Sequence, residues 1–161
     1  MPINVRAYSA PINISAAFTA AIDVFELLAA TSKPLTLAGF EIGQTSEIGD
    51  AQEEMLTLIL KRVTGAPTSG SGGGTAAFQP MQPNDAAAGA TLETGNTTQL
   101  TGGTSVELRR WSWNVRQPQL YLPVPECRII LDAGTRLVLS VSAPADSIST
   151  IQGSVDVLEL V

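Results

Sequence analysis

The chain has 161 residues, 15 Asp and Glu against 9 Lys and Arg, a formal net charge of −6, one cysteine and no histidine. The acidic balance excludes a general nucleic-acid binder, which needs a basic face to displace counterions from phosphates, and it disfavours an anionic membrane as partner. The lone Cys127 excludes an internal disulfide, and no apolar run of about 18 residues marks a membrane span.

An apolar content of 44% suits one folded domain, residues 1–161, with a real core. The charged fraction is 15%, below the ~25% of ordinary soluble proteins, which points to a surface partly covered by other copies of the chain. Charge is also segregated. Met1 to Leu56 holds seven acids and two bases, whereas Val106 to Arg136 holds three acids and five bases. Opposite bias in two parts of one chain permits contact between copies; the plainer reading is two solvated faces.

The first stretch, MPINVRAYSAPINI, lacks the charged start and apolar centre of a secretory signal, so a soluble protein made in a cytoplasm is expected. INVRAYSA reads as a strand. SAAFTAAIDVFELLAATSKP is ambiguous: Phe18, Ile22, Phe25 and Leu28 recur at helical spacing, with Ser15 as an N-cap, but the neighbours are strand-like. PLTLAGFEIGQTS alternates as a strand. Glu47, Asp50, Glu53 and Glu54 then fall within eight residues. Calcium takes oxygen ligands from such loops, but the DxDxDG spacing is missing, and a solvated turn is the better reading. EEMLTLILKRV follows, with Leu56, Leu58 and Leu60 on one face.

Gly65–Ala90 interrupts this pattern. It takes about a sixth of the chain, and its 26 residues carry one charge, Asp85, and two large apolar side chains, Phe78 and Met81. GAPTSGSGGGT is not a P-loop, because no Gly-Lys-Ser/Thr follows, and not a dinucleotide fingerprint, because Thr75 stands where GxGxxG needs its last glycine. A long loop is expected, either mobile or draped over a neighbouring subunit.

ATLETG is the next strand, followed by the long SVELRRWSWNVRQPQLYL. There Arg109, Trp111, Trp113 and Val115 share a face if extended. The tryptophans read either as a core or half-buried sheet face or as interface anchors. PECRIILD adds a short strand. TRLVLSVSAPAD places Leu137, Leu139 and Val141 on one face, and TIQGSVDVLELV closes the chain, its alternation slipping near Leu158 as at a bulge. Eight to ten short strands with turn-rich separators make an all-β sandwich or barrel.

Without histidine there is no Ser-His-Asp or Cys-His catalysis and no His-ligated zinc. With one cysteine there is no four-cysteine zinc or iron–sulfur site. A carboxylate-only hydrolase survives as the enzymatic reading, but nothing locates its cleft. No cofactor is expected.

Several stretches together resemble a known family. IDVFELLAATSKPLTLAGFEIGQTSEIGDAQEEMLTLILKRVTGAPTSGSGG is similar to the front half of a group of small proteins encoded by tailed phages and prophages, most described only as hypothetical. WSWNVRQPQLYLPVPE and RLVLSVSAPADSISTIQGSVDVLEL are similar to the back half. KRVTGAP departs from the Arg-Gly usual after the second long strand. The resemblance implies a compact β-jelly roll like the tumour-necrosis-factor fold, assembled as a homotrimer, and it makes IDVFELLAA a strand. It further implies a virion structural protein, foremost a capsid decoration protein on the outer shell whose partners are its own copies and the major capsid protein. A head-fibre, tail-associated or receptor-binding protein, or a carbohydrate-binding module, is the alternative. No catalytic residues follow. The expected interface residues are Ser69, Gly70, Gly72, Gly73, Gly74 and Phe78 in the long loop, with Arg109, Trp111, Trp113 and Arg116.

Overall fold

The computed structural model describes residues 5–45, 54–148 and 150–160. Among them are twelve β-strands, one 3-10 turn at Pro125–Cys127 and no α-helix, so no helix is long and apolar enough to cross a membrane. The strands form two antiparallel six-stranded sheets packed face to face. Sheet I runs β6 (Gln79–Pro80), β1 (Val5–Ile14), β12 (Ile151–Leu160), β3 (Leu35–Gln44), with β9 (Gln119–Tyr121) and β10 (Ile129–Leu131) both beside β3. Sheet II runs β5 (Gly74–Ala76), β7 (Thr91–Asn96), β2 (Ile22–Leu28), β11 (Arg136–Val141), β4 (Met55–Thr64), β8 (Thr104–Asn114).

Leaving aside β5, β6 and β7, the chain changes sheet at every connection except β4 to β8 and β9 to β10. That winding is the jelly-roll order. The strand count exceeds the expected eight to ten for two reasons. Segment 65–90 supplies β5 and β6 itself, and the run from Ser105 to Leu122 breaks into β8 and β9. The break is an Asn-directed turn: the Asn114 carbonyl accepts from Gln117 N–H at 3.0 Å, and its side-chain oxygen accepts from Arg116 N–H at 3.0 Å.

The helical spacing at Phe18–Leu28 is not used. β2 is an interior strand of sheet II, and six of its seven residues are buried on both faces. A strand covered on both sides loses its period of two and reads as a continuous apolar run, which periodicity cannot tell from a helix. β11 behaves likewise. Leu137, Leu139 and Val141 face the core as expected, but Val138 and Ser140 on the opposite face are buried as well. The slip expected near Leu158 lies at Asp156/Val157, where the pairing of β12 with β3 changes register.

The core between the sheets is aliphatic, from Ile12, Leu37, Ile42, Leu58, Leu60, Leu137 and Leu139, with an aromatic group toward the β8 side. Phe25 packs edge-on to Phe40 at 5.6 Å, and Phe40 meets Trp111 and Tyr121 at 5.8 and 5.4 Å. Trp113 is 1% exposed and donates its indole N–H to the Gln117 carbonyl at 2.8 Å, so the ring also fixes the turn that ends β8. Trp113→Ala is expected to destabilise the fold by about 3–5 kcal/mol, read as a lower urea midpoint with an unchanged slope. A shift under about 1 kcal/mol would show that the ring is not a core anchor.

Candidate functional site

Glu26 and Glu93 are directly opposite on β2 and β7, two carboxylates on the outer face of sheet II. Like charges across strands repel, so the pair stands only if donors surround it. Ser69 Oγ lies 2.8 Å from Glu26 Oε1 and 3.1 Å from Glu93 Oε2, its single proton serving one at a time. Asn96 Nδ2 is 3.4 Å from Glu26 and 3.1 Å from Glu93. Gly70 N–H donates to Glu26 Oε2 at 3.0 Å. Arg136, projecting from β11, forms an ion pair with Glu26, whose own side chain has no exposed surface. The chain entering the long segment is therefore pinned by a buried acid.

A second acid pins the neighbouring loop. Asp23, fully buried, accepts from Leu100 N–H at 2.7 Å, from Gln99 Nε2 at 3.1 Å and from Ser140 Oγ at 2.6 Å. The two loops then pair with each other through backbone bonds, Thr68 with Thr101 and Ser71 with Thr98, at 2.8 to 3.1 Å. Beneath them Leu100 joins Val63 and Val138 in a small satellite core. Part of the outer face of sheet II is thus roofed by the chain itself.

The rest of segment 65–90 closes one side of the sandwich. β5 extends sheet II and β6 extends sheet I, with Phe78 buried between them. Tyr8 Oη donates to the Ala86 carbonyl at 2.9 Å, and Arg6 meets Asp85 at 3.2 Å. A third buried acid, Glu159, accepts from Gly89 and Ala90 N–H and sits 3.7 Å from Lys33 Nζ. The expectation of a mobile loop is corrected: much of the segment's backbone is bonded within its own domain, so it needs few apolar side chains.

Steric fit explains most of the glycine run. Gly72 has φ +85°, and a side chain on Gly73 would run into the Thr94 carbonyl and Asn96. Gly74 differs, with nothing within 4 Å of where its Cβ would stand. It borders a groove of about 450 Å³ between this tract and the end of β1, and among the described residues no charged side chain lines that groove.

The other expected interface residues are scattered. Phe78 and Trp113 are buried, Trp111 is half-buried against Phe40 and Tyr121, and Arg109 and Arg116 are exposed. Ser69 and Gly70 serve the Glu26 cluster. Of the acidic turn, Glu47, Asp50 and Glu53 lie outside the described residues. Glu54 is not solvated as expected: it is buried, and its carboxylate accepts from Asp146 N–H. On β8, Arg110 grips Glu107 with two hydrogen bonds of 2.7 and 2.9 Å. Those bonds, with the guanidinium charge, hold the Glu107 carboxyl below its usual range despite an opposing desolvation effect, and the same partner raises Arg110.

The opposite side of the sandwich is left open. From β9 to β10, Leu120, Leu122, Val124 and Ile130 are 60, 69, 61 and 63% exposed, four large aliphatic side chains within eleven residues. Leu120 pairs with Glu41 and Ile130 with Thr36, so both extend the outer face of sheet I. Sequence reasoning missed this rim and the burial of Asp23, Glu26, Glu54 and Glu159. The signals were present: Asp23 and Glu26 interrupt an apolar strand, and Leu120, Leu122 and Val124 alternate up to two prolines. No protein-family model, curated protein or solved structure matches the chain.

Removing one partner of a buried pair leaves the other charge uncompensated. Glu26→Ala should therefore destabilise the protein by about 3–5 kcal/mol and open Thr68–Ser71 to limited proteolysis. Unchanged cleavage there would show that the carboxylate is not the pin. In the glycine run, Gly73→Ala should destabilise by about 1–3 kcal/mol through its backbone collision, and Gly74→Ala should stay within about 0.5 kcal/mol of wild type. Equal thermal shifts for the two would contradict the packing described.

Proposed function

We propose that the protein is a non-enzymatic virion component, a capsid decoration protein that binds the outer shell of a tailed phage as a homotrimer. The observation that carries this reading is the aliphatic rim at Leu120, Leu122, Val124 and Ile130. Clustered large apolar side chains exposed on a rigid body mark a surface meant to be covered by protein. The resemblance to small phage and prophage proteins supplies the setting, and the acidic charge suits a position outside the packaged DNA.

A sandwich of this kind is a suitable cement. Its long insertion is tied down by Glu26 and Glu159 and adds no floppy entropy to binding. Several copies held together multiply a modest shell contact through effective concentration. Any preference for the mature shell then stabilises that shell, by ~2.7 kcal/mol per site when free protein is a hundredfold above its dissociation constant. The carbohydrate-module alternative needs exposed aromatic platforms, whereas Trp113 is in the core and Trp111 packs between Phe40 and Tyr121.

The test is direct. Virions purified from a phage carrying this sequence should contain the protein in many copies per head, by quantitative mass spectrometry. Heads lacking it should release DNA at lower temperature, and adding back purified protein should restore the release temperature. Absence from purified virions would overturn the proposal. Presence only in tail fractions would replace it with a tail-associated role.

A further inference from the structure

The geometry points to a calcium site at one end of the sandwich, with Glu54 as its buried ligand and Asp146 as its exposed one. The site is independent of the decoration role.

Four acids of the described chain are buried, Asp23, Glu26, Glu54 and Glu159, and three of them are fully answered. Glu26 has Arg136 with Ser69, Gly70 and Asn96. Glu159 has Lys33 with two backbone N–H groups, and Asp23 has three donors. Glu54 is the exception. It stands immediately before β4, in step with Leu56 and Leu58 of the core face, and its backbone carbonyl accepts from Val115 N–H at 3.2 Å. The residue is 8% exposed. Oε1 accepts from Asp146 N–H at 2.5 Å, whereas Oε2 is buried and has no hydrogen-bond partner. A buried carboxylate oxygen with neither donor nor cation is costly, and in a native protein an ion is one of the few things that accounts for it.

Asp146 enlarges the deficit. The bond from its N–H sets the Glu54 carboxylate against a residue that carries a second one. Among the described residues the Asp146 side chain accepts only from Ser147 N–H, at 2.7 Å. No ion pair joins either acid to a described cation. Glu26 and Glu93 pose the same problem on sheet II, and there Arg136 answers it. At Glu54 and Asp146 the chain supplies two backbone N–H groups and two negative charges, and a cation is what the set lacks.

Oxygen ligands select a hard cation. Calcium fits an irregular loop better than magnesium does, because it takes about six to eight oxygens, carbonyls and water included, without demanding an ideal octahedron. Two carboxylates are a low charge count, which places the dissociation constant at roughly 10⁻⁴–10⁻³ M. An ion here ties the start of β4 to the loop between β11 and β12. That loop in turn holds Phe18 through its backbone pair with Ile148, so one ion steadies several connections at this end. Glu47, Asp50 and Glu53 lie outside the described residues, and the site is assigned to Glu54 and Asp146 alone.

The full chain can be titrated with Tb³⁺, which enters calcium sites and emits when excited through a nearby tryptophan; Trp113 pairs with Leu56, two residues after Glu54. Wild type should give a saturable signal that Ca²⁺ displaces. Its melting midpoint should rise by about 3–5 °C, relative to EDTA, in Ca²⁺ at ten times the dissociation constant. Glu54→Gln should lose both the signal and the shift, and Asp146→Asn should weaken Ca²⁺ binding at least about tenfold. Asp146 is exposed, so its variant decides the matter even if Glu54→Gln fails to fold; fluorescence of buried Trp113 reports folding in each. A third variant, with Glu47→Gln, Asp50→Asn and Glu53→Gln combined, should keep a saturable signal. The inference is overturned by a wild type with no saturable signal or no calcium-dependent shift, by a folded Glu54→Gln or Asp146→Asn that binds Ca²⁺ like wild type, or by loss of binding in the third variant alone.

Discussion

The carboxylate of Glu26 is taken wholly out of water, with Glu93 directly opposite it on the neighbouring strand. An ionised group so placed must be surrounded by donors or a cation, because its hydration is gone. The fold meets that requirement from three separate parts of the chain: Arg136 on β11, Asn96 at the end of β7, and Ser69 with Gly70 in the long insertion. The requirement thereby becomes an instruction. Gly65 to Ser71 has to lie across sheet II, and the rest of the insertion is delivered to the sheet edges.

Asp23 and Glu159 work by the same logic. Each is buried among strands and accepts hydrogen bonds from a loop: Glu159 from Gly89 and Ala90 N–H, Asp23 from Leu100 N–H and the Gln99 side chain. A loop that cannot bury hydrophobic area still gains specificity when a buried acid offers its N–H groups a charged acceptor, since charge-assisted bonds exceed neutral ones. The Gly-, Ala- and Thr-rich stretches at 65–76 and 97–103 fit beside these acids because small residues let the backbone approach closely.

The two sides of the sandwich consequently differ. One is finished by the chain itself, through β5, β6 and Phe78. The other ends in a bulged, charged edge strand, β8, and an aliphatic rim. The bulge and the Glu107–Arg110 pair protect β8 from strand-to-strand aggregation. The rim has no such protection, and it exposes aliphatic side chains rather than an unpaired strand.

Alternating patterns at 55–63 and 151–157 were enough to read an all-β sandwich or barrel from sequence, because a strand with one buried face repeats every two residues. The absence of histidine, the lone cysteine and the acidic balance were likewise complete at that level, since they are matters of composition. β2 was not legible from periodicity, because tertiary packing covers both its faces and erases the alternation. The course of segment 65–90 was illegible for a different reason. Its folding depends on Glu26 and Glu159, 43 residues before Ser69 and 70 after Gly89, and no local pattern encodes a bond across that distance. Sequence determined which residues could form strands and which chemistries were absent. Tertiary structure decided which polar groups were buried, and so which side of the sandwich was sealed and which was left with exposed aliphatic side chains.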